Sequence, residues 1–129
     1  MLVLAGLLLA TAQSCDGTTR EVETCLGREI ERSDAELNRY YAAAVKRLTD
    51  AGETAALARL RASERAWIRY RDAECDAVWE YWSKGSIRGS FSADCRIRLT
   101  RDRTMAIWSN WLTYVDSTPP LLPRPEKPE

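Results

Sequence analysis

The sequence predicts an all-α fold, a small disulfide-stapled bundle of three main helices with a short additional helix at the N-terminus. Apolar residues recur at three- and four-residue spacing over long segments, and no segment shows the alternation typical of a strand. The chain has 129 residues, a length that suits one domain. Its four cysteines follow an apolar leader, and an even number in a small exported chain predicts two disulfides.

The first fourteen residues, MLVLAGLLLATAQS, have the character of a secretory signal peptide. They are too few to cross a bilayer as a stable helix, and Ala10-Thr11-Ala12 offers a small-x-small cleavage site. No Lys or Arg precedes Arg20, so the basic start of a complete signal is missing and the start codon is open to revision. A buried N-terminal helix is the alternative, disfavoured because polar residues do not alternate with the apolar ones.

A lipoprotein would carry its lipid on Cys15. The residues before it, Ala12-Gln13-Ser14, lack the Leu that usually stands three places upstream of a lipidated cysteine. We therefore expect a soluble periplasmic or secreted protein without a membrane span.

The segment after the signal predicts two helices in succession. A short helix is expected within residues 16–32, weakened by Gly27. Ser33-Asp34-Ala35-Glu36 has the pattern of a capping box, in which a hydroxyl and a carboxylate satisfy backbone amides reciprocally. The helix that begins there is expected to reach about Thr49, before the turn Asp50-Ala51-Gly52.

A long helix is expected next, from about Glu53 to Ser83. Its predicted buried stripe is Leu57, Leu60, Glu64, Trp67, Arg71, Glu74, Val78 and Tyr81. Charged groups on a partly buried face must be paired, so we expect Arg71 to pair with Glu74 and with an acidic or amide group of the preceding helix. The predicted structural ion-pair residues are Asp34, Glu64, Arg71, Asp72 and Glu74.

The C-terminal part predicts a loop, a helix and a tail. Two glycines and three serines in residues 83–90 break the helical pattern. A last helix is expected to begin near Ser90 or Ser92 and to continue to about Asp116. Residues 117–129, STPPLLPRPEKPE, contain five prolines and are expected to form an extended, disordered tail.

The composition argues against catalysis. The chain has no histidine, which removes the usual general base and the commonest metal ligand, and its cysteines form no CxxC pair. Asp72 and Glu74 stand two residues apart on a helix and point in different directions, so they cannot flank one glycosidic bond. Glu64 and Glu74 lie about 15 Å apart along the axis. No catalytic residue, metal site or cofactor is expected, and the protein is not expected to be an enzyme.

Binding residues are expected in the glycine-serine loop, namely Lys84, Ser86, Arg88 and Ser90. The chain carries 19 basic and 19 acidic residues, so no net field favours nucleic acid or membrane. Residues 16–38 hold seven acidic and three basic side chains, whereas residues 84–103 hold six basic and two acidic ones. Either these segments face an external basic partner and an external acidic cleft, or they attract each other within the fold.

Several short motifs together resemble the LprI-type lysozyme-inhibitor domain of bacterial secreted proteins and lipoproteins. Most of residues 15–112 are covered, and the domain is placed at residues 15–116. The matching motifs are Asp34-x-x-Leu37-Asn38 followed by Tyr40 or Tyr41, Arg65-Ala66-Trp67-Ile68-x-x-Arg71-Asp72-x-x-Cys75, Gly89-Ser90, and Cys95-x4-Thr100-x-x-Arg103. The resemblance implies an all-α disulfide-containing bundle and inhibition of lysozyme in the cell envelope. It also implies that Trp67 belongs to the core, that Arg71 and Asp72 anchor helices, and that Cys75 is bridged.

Four cysteines can pair in three ways. We favour the pairing in which Cys15 is bonded to Cys25 and Cys75 to Cys95. The first would clamp the short N-terminal helix, and the second would close the glycine-serine loop. With the predicted helix ends, Cys75 lies about 12 Å from the loop and Cys95 only about 5 Å. The loop must then fold back, or the long helix must end early, near Trp79. A Cys25–Cys95 bridge is the alternative.

The leading functional hypothesis is a secreted or periplasmic inhibitor of a lysozyme-like muramidase, whose loop enters the cleft that bears the catalytic carboxylates. The alternative is an envelope interaction or scaffold module with no hydrolase target. Four tryptophans would then form a hydrophobic patch or a homodimer face, namely Trp79, Trp82, Trp108 and Trp111.

Overall fold

The computed structural model describes residues 14–126, which form three long α-helices and, within that range, no strand. Helix α1 spans Thr19–Asp50, α2 spans Thr54–Tyr81 and α3 spans Arg88–Ile107, and a π-helical turn, Trp108–Leu112, continues α3. The prediction of an all-α bundle of three main helices is confirmed. The predicted signal peptide lies outside the described residues, except for its last residue, Ser14.

Helix α1 is one continuous helix, where the sequence indicated two. Its capping box is formed by Thr18 and Glu21: the Thr18 amide donates to Glu21 Oε2 at 2.7 Å, and the Glu21 amide donates to Thr18 Oγ1 at 3.3 Å. The Thr18 backbone and side-chain hydrogen bonds lower the pKa of the Glu21 carboxyl. Ser33, the predicted cap, is buried inside the helix and its hydroxyl donates to the Ile30 carbonyl at 3.0 Å.

Burial explains why the helix continues through Gly27 and Ser33. Ser33 begins a stripe that α1 buries against the rest of the bundle, with Leu37, Tyr40, Ala44 and Leu48. A helical glycine costs about 1 kcal/mol, less than the burial of two large apolar side chains contributes. The core joins this stripe to the other helices and comprises Leu37, Tyr40, Ala44, Leu48, Leu60, Ile107 and Leu112.

Both disulfides have the predicted pairing. Cys15 is bonded to Cys25 and Cys75 to Cys95, with Cα–Cα distances of 5.5 Å and 5.6 Å. The expected geometric difficulty disappears because α2 ends at Tyr81 and α3 begins at Arg88, earlier than predicted. Cys75 and Cys95 therefore lie at similar depths, about 9 Å and about 10 Å from the loop.

The proline-rich C-terminal segment packs on the bundle over residues 117–126. The Tyr40 hydroxyl donates to the Pro123 carbonyl at 2.5 Å, and Trp108 Nε1 donates to the Leu122 carbonyl at 2.9 Å. The Leu121 amide also donates to the Leu112 carbonyl at 2.9 Å. The prediction of a disordered tail is wrong for these residues. The last helix likewise ends at Leu112 and not at Asp116.

Candidate functional site

The motif around Arg71 lies at the centre of the bundle, where it joins the three helices. The Arg71 side chain is 9% exposed. Its guanidinium donates to Asp34 Oδ1 of α1 at 3.4 Å, to Asp72 Oδ1 at 3.0 Å and to Thr100 Oγ1 of α3 at 3.4 Å. The same group lies over the ring of Trp67, 5.0 Å from its centroid. These contacts occupy the guanidinium within the fold, so the motif is an anchor between helices.

A second ion pair joins α2 to α3 beside this anchor. Arg103 Nε donates to Glu64 Oε2 at 2.9 Å, and its Nη2 donates to Ser63 Oγ at 2.9 Å. Both charged side chains of the pair are largely buried. A cavity of about 150 Å³ lies between the two ion pairs, and Asp34, Glu64 and Arg71 line it. Because these charges are already paired, we assign the cavity no ligand.

Glu74 does not take the position that the sequence predicted. It is exposed, and among the described residues it forms no ion pair, whereas the adjacent Cys75 is buried. The buried face of α2 runs through Leu60, Glu64, Arg71 and Cys75. The Cys75–Cys95 bond turns that residue toward α3, and Glu74, one residue earlier, then points about 100° away from it.

The acidic N-terminal segment and the basic α3 segment meet inside the molecule. Asp34 Oδ2 accepts from Arg96 Nη2 at 3.2 Å, and Glu29 Oε2 accepts from Arg101 Nη2 at 2.9 Å. Of the two explanations for the uneven charge distribution, attraction between the two segments within the fold is therefore the one that the structure contains.

The four residues predicted to bind a partner lie at or near the turn between α2 and α3. Lys84 and Ser86 are exposed in the loop of residues 82–87, and Ser90 is half-buried within α3. Arg88 is exposed, but its guanidinium donates to the Ser83 carbonyl at 3.1 Å and lies 4.6 Å from the ring centroid of Trp79. The loop therefore presents two cations: Arg88, which is held in place, and Lys84, which forms no ion pair with any residue of the range 14–126.

Exposed aromatic side chains lie on the helix ends that flank the loop. Trp82 and Phe91 stack with their ring centroids 4.8 Å apart, and the two residues are 38% and 41% exposed. Tyr81 meets Trp82 edge to face, and Ile87 is also exposed. We call this the loop-end surface, formed by Tyr81, Trp82, Lys84, Ser86, Ile87, Arg88 and Phe91. Tyr81 was predicted to lie in the buried stripe of α2, and this prediction is wrong because periodicity does not reveal where a helix passes beyond its neighbours.

The four tryptophans do not form one surface. Trp79 and Trp82 lie at the loop end, whereas Trp108 and Trp111 pack against the core at the opposite end. At that opposite end Arg47 donates to the Trp111 and Thr113 carbonyls, at 2.7 Å and 2.8 Å, beside a cavity of about 530 Å³. A single dimer face built from all four tryptophans is therefore not available.

Comparison with known proteins gives the same family as the sequence motifs. The family described as "Lysozyme inhibitor LprI" matches residues 10–106. The chain belongs to the LprI family. It is also similar to an uncharacterized protein of Rhizobium meliloti (strain 1021), with 31% identity over 93 residues that cover 65% of this chain and 67% of that protein. No solved structure matches the chain.

The description of the LprI family implies a role in lysozyme inhibition. The two disulfides are compatible with an extracytoplasmic location, where oxidised cysteines persist. Among the described residues, no helix has an apolar stretch long enough to span a bilayer. The family match ends at residue 106, so the π-helical turn and the packed C-terminal segment lie beyond it.

Proposed function

We propose that this LprI-family domain inhibits a lysozyme-like muramidase by direct contact through the loop-end surface. The observation that carries the proposal is the combination of half-exposed aromatic rings and two cations at one end of the bundle. Aromatic residues and arginine are enriched where protein interfaces have their strongest contacts.

The chemistry of the target fits this surface. A muramidase cleft contains two catalytic carboxylates, and at least one is ionised in the working enzyme. The Lys84 ammonium can reach such a carboxylate as a free donor, and Arg88 adds positive charge beside it. The stacked rings of Trp82 and Phe91 supply the apolar area that the cleft would bury.

The rigidity of the loop also supports tight binding. The Cys75–Cys95 bond joins the helices that the loop connects, and the Arg88 hydrogen bond to Ser83 closes the turn. A loop that is ordered before binding loses less conformational entropy in the complex, which increases affinity.

We further propose that the protein acts as a soluble periplasmic or secreted domain. The Cys15 sulfur is bonded to Cys25 and is therefore not free to carry a lipid. Mass spectrometry of protein recovered from the cell envelope tests this point, because lipidation would add an acyl mass at Cys15 and leave Cys25 without that partner.

The inhibition itself is tested by measuring peptidoglycan hydrolysis by lysozymes of several classes in the presence of excess domain. Wild type should reduce the rate of at least one class. The Lys84→Ala/Arg88→Ala variant should require about tenfold more protein for the same inhibition, because each lost charged contact contributes roughly 1 kcal/mol or less at a partly exposed site. Lys46→Ala/Arg59→Ala, which removes the same charge from other exposed positions, is the matched control. Full activity of every lysozyme with excess domain would reject the proposal.

A second candidate function is an envelope interaction module with no hydrolase target. The observation that favours it is Tyr81, an aromatic residue that is 80% exposed at the loop end and unnecessary for contact with a carboxylate. A pull-down from envelope extract distinguishes the two functions. A partner that is lost in the Tyr81→Ser variant and has no effect on muramidase activity would support the module.

A further inference from the structure

The side of α2 that faces away from α1 and α3 carries charged residues in a regular order. Three arginines at four-residue spacing are followed, three residues later, by three acidic residues at the same spacing. All six are exposed, and at 3.6 residues per turn they occupy one sector of about 100°. We call this the α2 outer face; its charged residues are Arg61, Arg65, Arg69, Asp72, Asp76 and Glu80.

This order of charges does not stabilise α2 itself. Like charges four residues apart on a helix repel each other, and each triplet contains two such pairs. Glu80 lies in the last turn of α2, where a carboxylate meets the negative end of the helix dipole. Of the six residues, Asp72 alone forms an ion pair with another described residue, namely Arg71. The other five have no ion-pair partner within residues 14–126.

The charge pattern of the α2 outer face is complementary to that of a second, antiparallel copy of α2. If a second copy of α2 lies antiparallel on the first, with the twofold axis midway between Tyr70 and Arg71, each arginine meets an acidic residue of the other copy. The pairs are Arg61 with Glu80, Arg65 with Asp76, and Arg69 with Asp72. Twofold symmetry repeats every pair, so six opposite-charge contacts form across the interface. A parallel arrangement would place like charges together, which opposes association.

Apolar residues on the same face follow the same symmetry. Ile68 is 40% exposed and is set against Ala73 of the second copy. Trp79 lies against Arg88 and Gly89 of α3 and takes no part in this face. The small side chains of Ala62 and Ala73 let the helices approach while the charges pair around them.

We propose that a second copy of this chain docks antiparallel on the α2 outer face to form a twofold-symmetric homodimer. The occupant is identified by the charge complementarity of the face with itself. This interface runs along α2, whereas the proposed muramidase contact lies at the loop end, so the inference does not depend on the proposed function.

The test measures the dimerisation constant of the full secreted chain by sedimentation equilibrium, from micromolar to millimolar protein. Arg65→Glu and Asp76→Arg should each weaken dimerisation by about tenfold or more, because either change turns two attractive contacts into two repulsive ones. The double variant Arg65→Glu/Asp76→Arg should recover the wild-type constant. An equimolar mixture of the two single variants should also dimerise, since both contacts are restored in the heterodimer.

The matched control is Arg28→Glu, which makes the same charge change on an exposed position of α1 and should leave the constant unchanged. Helical circular dichroism confirms that each variant is folded, as expected for substitutions at exposed positions. Added salt should weaken the wild-type dimer, because exposed ion pairs are screened. A wild-type protein that stays monomeric at millimolar concentration would overturn the proposal. So would single variants that dimerise as well as wild type, or a double variant that fails to recover.

Discussion

Arg71 joins the three helices, because its buried guanidinium pairs with Asp34 of α1 and bonds to Thr100 of α3. The need to pair a buried cation correctly indicated Asp34. The prediction that Arg71 pairs with Glu74 on the same helix is wrong, because Arg71 pairs with the adjacent Asp72. The Glu64–Arg103 pair was not predicted, because its members lie 39 positions apart and nothing local connects them.

Replacing Arg71 should destabilise the protein strongly. Arg71→Met keeps most of the side-chain volume but leaves Asp34 with Arg96 alone and removes the bond to Thr100. We expect a loss of about 3 kcal/mol in the free energy of unfolding, the lower end of the range for a broken buried pair. Urea denaturation measures this loss. Arg59→Ala, at an exposed position, should change stability by less than about 0.5 kcal/mol, and an equal effect of both changes would contradict the anchor role.

The capping box at Thr18 should affect how the Glu21 carboxyl titrates with pH. Two hydrogen bonds from Thr18 lower the pKa of Glu21, the backbone bond being the larger cause. A carboxyl whose folded pKa is lowered adds stability that is present above its ordinary pKa, about 4.3, and is lost as the pH falls through the lowered value. An NMR titration of the Glu21 carboxyl should therefore give a midpoint below that of a free glutamate. In Thr18→Ala the midpoint should rise, and an unchanged midpoint would contradict the capping geometry.

Elements show where tertiary contacts override local signals. The capping pattern at Ser33 is a genuine local preference, yet burial of Ser33 with Leu37 and Tyr40 keeps α1 continuous. The packed C-terminal segment was missed for a different reason. Its bonds are accepted by the backbone carbonyls of Leu122 and Pro123, and backbone acceptors leave no pattern in a sequence. The cysteine pairing was predictable, because each bond closes a short segment.

The Cys75–Cys95 bond should stabilise the pairing of α2 with α3. Its ends are 20 residues apart in sequence, and closing a loop of this size contributes about 3 kcal/mol. Cys75→Ala/Cys95→Ala should therefore lower the free energy of unfolding by about that amount, measured by urea denaturation. An unchanged denaturation midpoint would show that the bond does not constrain the bundle.

The bond between α1 and the C-terminal segment is tested by Tyr40→Phe. This change removes the hydroxyl that donates to the Pro123 carbonyl and keeps the buried ring in place. We expect a loss of about 1 kcal/mol, typical of one hydrogen bond. Tyr70→Phe, at an exposed tyrosine, is the control and should have no effect. Equal stability of the two variants would contradict the packing of residues 117–126.

At the scale of the whole molecule, most of the buried and half-buried charges are paired with one another, and unpaired charges lie on the loop-end surface and the α2 outer face. The ion pairs of Asp34, Glu29 and Glu64 occupy arginines that the sequence alone offered as a basic surface. What remains is a loop end with aromatic rings and two cations, and a helix face whose charges match a second copy of themselves. The sequence indicated Trp82 as part of a hydrophobic patch but gave no sign that Tyr81 is exposed beside it, because that exposure depends on how the helix ends are staggered.

The loop-end surface between α2 and α3 is the proposed contact surface for a muramidase. Amide hydrogen exchange of the domain, measured with and without the lysozyme class that it inhibits, tests this claim most directly. We predict slower exchange in residues 82–91 when the lysozyme is bound, and no change in residues 108–116 at the opposite end. Protection confined to the opposite end, or no protection at saturating lysozyme, would contradict the claim.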